Sequence, residues 1–375
     1  MVSCLLLMAG GILALAVKAV EPAGFLHSSR QMPWGLLIAI FTFALSLSIG
    51  CCLTAAMSRI YGLKGLQPLA RRAVFLSVIG LVASFILLLA TVENPWRLLV
   101  YNAAFPNLKS NIWWLVTLSG ITAGCVFLEF ATMLNGNGDS RFIFGFLGAV
   151  TAVGASNNLA ALITGSMDPP LWFGAQLLVL YLISAVLAGV TAVVAIALLL
   201  AEINGRELMR HERTACETAA VIVQYSCLVL LGLYIIRFGS VLYRPSDPGR
   251  ETVLMLVAGR YMVFFLLFGI VAGLLVPLQL FFKGQGKRAR PMLFSCLLVL
   301  NGLFFQRYAM LLAGQTTPRL DQWVMADRIP GYFPSWSEGV VAAGVLGLVG
   351  VAVLVGERVF GRLFRTASQP VRKPF

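Results

Sequence analysis

Histidine is nearly missing from this chain of 375 residues: there are two, His27 and His211. A haem in a membrane bundle usually needs paired axial histidines facing each other, and these two fall in loops expected at opposite faces. A bis-histidine haem is therefore excluded, and a haem with other ligands is not expected. Cysteine is present without a ligand pattern. Cys4, Cys51, Cys52, Cys125, Cys216, Cys227 and Cys296 never form a C-x-x-C pair, so iron–sulfur and zinc frameworks lack their ligands. Thiols in apolar spans read instead as buried and inert. Charge is scarce too: Asp, Glu, Lys and Arg make up 11% of the residues while 59% are hydrophobic, and the mean hydropathy is +0.89. A water-soluble domain has too much surface for that balance. With no strand pattern, a G-x-G-x-x-G dinucleotide cradle has nothing to follow.

What is there is a succession of apolar runs of roughly twenty residues, the length an α-helix needs to cross a hydrocarbon layer of about 30 Å. They read as spans over 2–20, 34–58, 72–91, 111–134, 141–165, 171–201, 214–237, 252–282, 289–313 and 337–360. A transmembrane β-barrel would show short alternating segments instead. The fold class is all-α and polytopic, with about ten transmembrane helices. The chain reads as one integral membrane domain: a first bundle over 34–165, a second over 171–313, and peripheral helices and tail in 1–33 and 314–375. The first span could alternatively be a cleaved signal, but it lacks a positive n-region and a small-residue cleavage site before Glu21. Any catalytic partner is expected to be another chain.

The net charge of +13 sits in the loops. No basic stripe with interleaved aromatics lies on a solvated element, so no nucleic-acid partner is expected. An even number of spans puts both termini on one side. The loops carrying Arg59, Lys64, Arg71, Arg72, Arg141, Arg206, Arg210, Arg213, Lys283 and Arg288, with the C-terminal tail, hold roughly twice the Lys and Arg of the other set, which makes that side cytoplasmic. The outer loops are rich in Pro, Tyr, Phe and Trp. Asn94, Pro95, Trp96, Tyr332, Phe333, Pro334 and Trp336 read either as an interfacial belt or as a docking platform for an outer partner. Small residues at helix-packing spacing, Gly120 and Gly124, Gly269 and Gly273, and the stripe Gly344, Gly347 and Gly350, are expected at close helix contacts.

Polar groups inside a bilayer are costly, so they mark sites by default. At 1.5 Å per residue, Arg260 lies about 10 Å below the outer interface and Arg307 at a similar depth. With Arg97 and Arg237 they read as an outer cationic layer, either snorkelling to lipid phosphates or holding an anionic group. Glu129 and Glu217 lie toward the cytoplasmic half, as ordinary interhelix or interfacial residues or as a proton route. The run Ser156, Asn157, Asn158 must turn at least one polar side chain to the bundle interior.

Several segments, in order, carry a family likeness: Pro33-Trp34-Gly35, Glu93-Asn94-Pro95-Trp96-Arg97 with Asn107 and Ser110, Leu128-Glu129-Phe130, Pro170-Leu171-Trp172, Arg237-Phe238-Gly239 with Tyr243-Arg244, and Tyr332-Phe333-Pro334-Ser335-Trp336. In these the chain resembles the NrfD/polysulfide reductase membrane-subunit family, above all its ten-helix branch, typified by the membrane subunit of periplasmic nickel–iron hydrogenases. The resemblance implies a haem-free subunit of a bacterial or archaeal cytoplasmic membrane that binds menaquinone or ubiquinone near the outer face. It also implies a four-cluster iron–sulfur partner outside and, through it, a catalytic or cytochrome subunit. Departures from the family pattern fall at its polar positions: Phe41 stands in span two, with Thr42 and Ser46 as neighbours; Thr91 stands for an outer Asp, with Glu93 nearby; Thr122 for a Tyr; and Val153 for a His, just before Ser156. The expected quinone-binding residues are therefore Thr42, Ser46, Thr91, Glu93, Thr122, Ser156, Asn157 and Asn158. A purely structural anchor with a degenerate site is the second reading, and a transporter, whose mark would be a helix broken at mid-membrane, the third.

Overall fold

The computed structural model describes residues 1–20, 32–60, 62–92, 94–136, 138–166, 175–244, 249–284, 288–316 and 332–365. His27, Glu93 and the segment 170–172 lie outside them. Among the described residues there is no strand, and ten helices are long and apolar enough to span a membrane. In chain order the helices are α1 Val2–Val20, α2 Leu36–Arg59, α3 Gln67–Thr91, α4 Pro95–Ala104, α5 Asn111–Leu134, α6 Gly138–Ser166, α7 Ala175–Ile203, α8 Arg210–Tyr243, α9 Arg250–Val257, α10 Val276–Phe282, α11 Ala289–Thr316 and α12 Trp336–Arg365. The chain is thus an all-α multi-pass membrane protein. Successive spans run in alternate directions, giving an aromatic end, with Trp34, Trp96, Tyr332 and Trp336, and an arginine end, with Arg59, Arg72 and Arg206.

Two elements differ from the sequence expectation. Residues 95–104, expected as loop, form α4: Pro95 sits in the first turn, where its missing N–H is no loss, and Pro106 follows the end. Indole donors tie α4 and its exit to α5, Trp113 Nε1 donating to the Asn102 carbonyl at 2.8 Å and Trp114 Nε1 to that of Leu108 at 2.9 Å. The eighth span is not one helix. α9 ends at Val257, Ala258–Tyr261 turn, and Val263–Leu275 is wound as a π-helix before α10 resumes. The break comes about 12 Å along from the start of α9, at 1.5 Å per residue.

Packing follows the small residues, though not all those expected. α1 lies against α12, where a Cβ on Gly11 would come within 2.6 Å of the Gly344 backbone and one on Gly347 within 2.6 Å of the Cys4 carbonyl. Gly273 meets Gly302 of α11 backbone to backbone at 2.5 Å by the same measure. Gly120 and Gly124 correct the expectation: both are exposed, with open space where a Cβ would stand among the described residues. Sequence spacing cannot say which way a helix is rotated. The closest approach is between α2 and α7, where a Cβ on Gly50 would overlap the Ala185 carbonyl and one on Gly189 the Gly50 backbone.

The arginine end is held by buried ion pairs. Arg72 of α3 reaches Glu212 of α8 and Glu357 of α12, each at 3.3 Å. Arg206, in the turn before α8, makes a two-pronged contact to Glu212 at 2.8 and 3.1 Å. That hydrogen bond holds the Arg206 guanidinium above its ordinary value. Two arginines and two glutamates balance, which is how buried charge is tolerated. His211, expected in a loop, stands in the first turn of α8 beside them.

Candidate functional site

At the aromatic end α2, α3, α5 and α6 enclose a cavity of about 390 Å³. Its walls are Leu37, Ile38 and Phe41 of α2, Leu88 of α3, Ile112, Leu115 and Val116 of α5, and Leu162 and Ile163 of α6, with Leu98 of α4 at the side. Pro33, Trp34 and Gly35 form the roof. Few polar groups reach it: Thr42, Thr91 and Glu338. A mostly apolar cavity with a few convergent polar groups is the general form of a small-molecule site.

The roof is fixed by hydrogen bonds from two distant elements. Gln315 of α11 accepts from the Trp34 N–H at 2.9 Å and donates to the Trp34 carbonyl at 2.8 Å. The Tyr332 hydroxyl accepts from the Leu36 N–H at 2.7 Å and donates to Glu338 Oε2. Burial, and secondly that bond to a carboxylate, hold the Tyr332 phenol above its usual range. The Tyr332 ring lies so close over Gly35 that any Cβ there would overlap it. Glu338 also closes a capping box at the start of α12: its carboxylate accepts from the Ser335 N–H at 3.3 Å, and its own N–H donates to Ser335 Oγ at 3.1 Å. Lys18 of α1 braces the opposite wall, donating to the carbonyls of Ala90 and, at 3.1 Å, Val92.

The expected quinone residues separate into groups. Thr42 and Thr91 line the cavity, each hydroxyl also donating back to its own helix, at 2.9 Å to Ala39 and 2.7 Å to Leu88. Among the described residues Ser46 and Ser156 are buried without a hydrogen-bond partner, as is Oδ1 of Asn158. With Ser119 of α5, in the same state, they lie within two helical turns of a cavity-lining residue on their own helices. Unpaired buried oxygens of this kind are where an ordered water or a ligand finds partners. Asn157 is half-buried, and Thr122 bonds Thr151 at 2.9 Å; neither lines the cavity.

The four arginines expected as an outer cationic layer differ in burial. Arg307 is 7% exposed and turns into the bundle, donating to Ser184 at 2.8 Å and to the Thr42 carbonyl at 3.4 Å, with its guanidinium 4.4 Å from the Tyr181 ring centre. Arg97 and Arg260 are exposed, and Arg237 is half-buried. Helical rise gave Arg307 its depth, but the rotation of α11 decides where it points. Beside it Gln306 accepts from Tyr234 at 3.0 Å and donates to the Gly269 carbonyl of the π-helix at 2.8 Å. The two carboxylates are not brought together either. Glu129 is buried and ion-paired with Arg59 of α2, on a helix packed against α3 and α6. Glu217 pairs with Arg213 at 3.4 Å on a half-exposed turn of α8. It borders a second cavity, of about 480 Å³, whose other walls include Glu202, Arg206, Glu207 and Arg288. Those charges cancel with Arg213 included, and Leu198, Leu208 and Met292 complete the lining.

Sequence reasoning missed Glu338, Gln315 and Lys18. The Ser335-x-x-Glu338 capping pattern was visible, but nothing local says that its carboxylate meets the roof of a cavity built from spans two to five.

The family described as "Polysulphide reductase, NrfD" matches residues 25–319. A subunit of the selenate reductase of Mesobacillus selenatarsenatis is 23% identical over 384 aligned positions, covering 92% of this chain and 89% of that protein.

Proposed function

The chain belongs to the polysulphide reductase NrfD family, and from that membership we propose that it is the haem-free membrane subunit of a multisubunit respiratory oxidoreductase. It exchanges electrons with the quinone pool for an outer iron–sulfur partner, and brings no redox centre of its own. The similar selenate reductase protein is by its name one subunit of a reductase, which supports a partnered role here. Further expectations follow: menaquinone or ubiquinone as the exchangeable ligand, a four-cluster iron–sulfur subunit on the aromatic face, a catalytic or cytochrome subunit beyond it, and a bacterial or archaeal cytoplasmic membrane with the arginine end inside.

One observation carries the reading: the apolar cavity of about 390 Å³ at the aromatic end. Its size suits a ring headgroup. The bound quinone supplies two-electron, two-proton chemistry, and the chain supplies its setting. Leu37, Phe41, Leu115 and Ile163 exclude water, Thr42 and Thr91 offer hydroxyls to ring carbonyls, and Trp34 and Gly35 close the roof. The exposed Trp96, Phe333 and Trp336 give the outer partner an aromatic surface beside the roof, so electrons travel a short way.

Titration of the purified complex with a short-chain quinone analogue tests this. Saturable binding that weakens at least about tenfold in Ile38→Trp, a substitution that fills the cavity, is expected. Binding unaffected by Ile38→Trp, or no binding beside normal assembly, leaves only the structural anchor.

A further inference from the structure

Among the described residues lining the cavity, Glu338 alone is ionisable. It does not come from the helices that form the walls. It enters from α12, the last span, and is 2% exposed. The positions where the resemblance leads one to expect acidic or strongly polar groups hold Phe41, Thr91, Thr122 and Val153, and none of these can exchange a proton near neutral pH. A quinone site must do so, because every ring oxygen that is reduced gains a proton and every one oxidised loses it.

Resting on the quinone reading above, we propose that Glu338 is the proton-exchanging residue of this cavity, carried in by span ten to replace the acid missing from spans two to five. Tyr332 is its positioning residue. The hydroxyl that donates to Glu338 Oε2 also accepts from the Leu36 N–H at 2.7 Å, which ties the carboxylate to the roof of the cavity. The capping box fixes the other side of the same oxygen through the Ser335 N–H at 3.3 Å. Protons have a short way out, since Phe333, Pro334 and Trp336, all exposed, adjoin the dyad. In the direction of quinol oxidation, each ring O–H bond that breaks sends its proton to the Glu338 carboxylate. The electron goes to the one-electron iron–sulfur carrier of the outer partner. Glu338 releases the first proton at the surface before it takes the second, so two protons and two electrons leave for each quinol converted to quinone. In the reducing direction every transfer reverses.

Glu338→Gln separates this role from the structural one, because a Gln at the third helical position also closes a capping box. In the complex purified with its own partner chains, thermal stability is expected to hold and quinone-analogue affinity to stay within about threefold, while quinol-driven electron transfer falls about a hundredfold, the scale of a lost general acid–base. Unchanged transfer with binding intact overturns the role of Glu338 and leaves the quinone site standing. Collapse of transfer in Glu93→Gln instead of Glu338→Gln also overturns it, and absence of analogue binding in the wild-type complex overturns both. A measurement on the unmodified chain removes dependence on any variant. A hydrophobic carbodiimide should label Glu338, and the quinone analogue should block the labelling at least about tenfold; labelling that the analogue does not slow contradicts the proposal.

Discussion

The charged residues inside this protein differ in how they are compensated, and that difference sets what each substitution does. Arg72 is 2% exposed and bridges two carboxylates from separate helices. Removing it leaves Glu212 with Arg206 alone and Glu357 with a buried charge. Arg72→Ala is expected to cost about 3–5 kcal/mol, the range for breaking a buried ion pair from one side, read as a lower midpoint of chemical unfolding; Arg72→Lys, which keeps the charge but loses the fork, should fall between. Arg307 is compensated differently, by a hydroxyl, a carbonyl and an aromatic face. At this scale the sequence was legible as residue types and depths and not as directions. It places Arg307, Ser156 and Asn158 inside spans, but whether each meets a cavity, a partner or lipid depends on helix rotation, which the third dimension alone supplies. Glu338 shows the limit best. Its capping role is local and readable, whereas its place in the cavity depends on Tyr332 and Leu36, close to it only in the fold.

Helices were legible where composition is decisive. Apart from the eighth, each expected span corresponds to one helix with ends within about six residues, because about twenty apolar residues in a row have few other solutions in a bilayer. The misses have physical causes. α4 is only ten residues long, too short to show a span, and its Trp96 and Tyr101 resemble loop aromatics. The turn at Ala258–Tyr261 and the π-wound stretch after it lie inside an unbroken apolar run, so hydropathy passes over them. Glycine spacing misled once, and the contrast gives a matched experiment. Gly344→Leu drives a side chain into the Gly11 backbone and should loosen α1 from α12, costing about 1–3 kcal/mol. Gly120→Leu, also at a helix-packing spacing but facing open space, should stay within about 0.5 kcal/mol. Equal effects in thermal unfolding would contradict the assigned helix faces.

For the molecule as a whole, two ends of opposite character define an axis. Aromatics and an apolar cavity lie at one end, and arginines stapled by glutamates at the other. Orientation in the membrane is the first consequence. A cysteine placed at Phe333 should react with an impermeant thiol reagent applied from outside intact cells, and one placed at Arg290, 84% exposed in its side chain, only after permeabilisation. The seven native cysteines are buried or half-buried and give a low background. The second consequence concerns the proposed function, which needs the cavity to lie where an outer partner and the membrane pool can both reach it. Photo-crosslinking of an azido-quinone to the purified complex, with the modified residues mapped, tests that most directly. Label is predicted on residues 33–42, 88–92, 112–116 and 162–163, competed away by unmodified quinone. Label confined to the charged cavity around Arg206 and Glu217, or spread without competition over the lipid-facing helices, would contradict it.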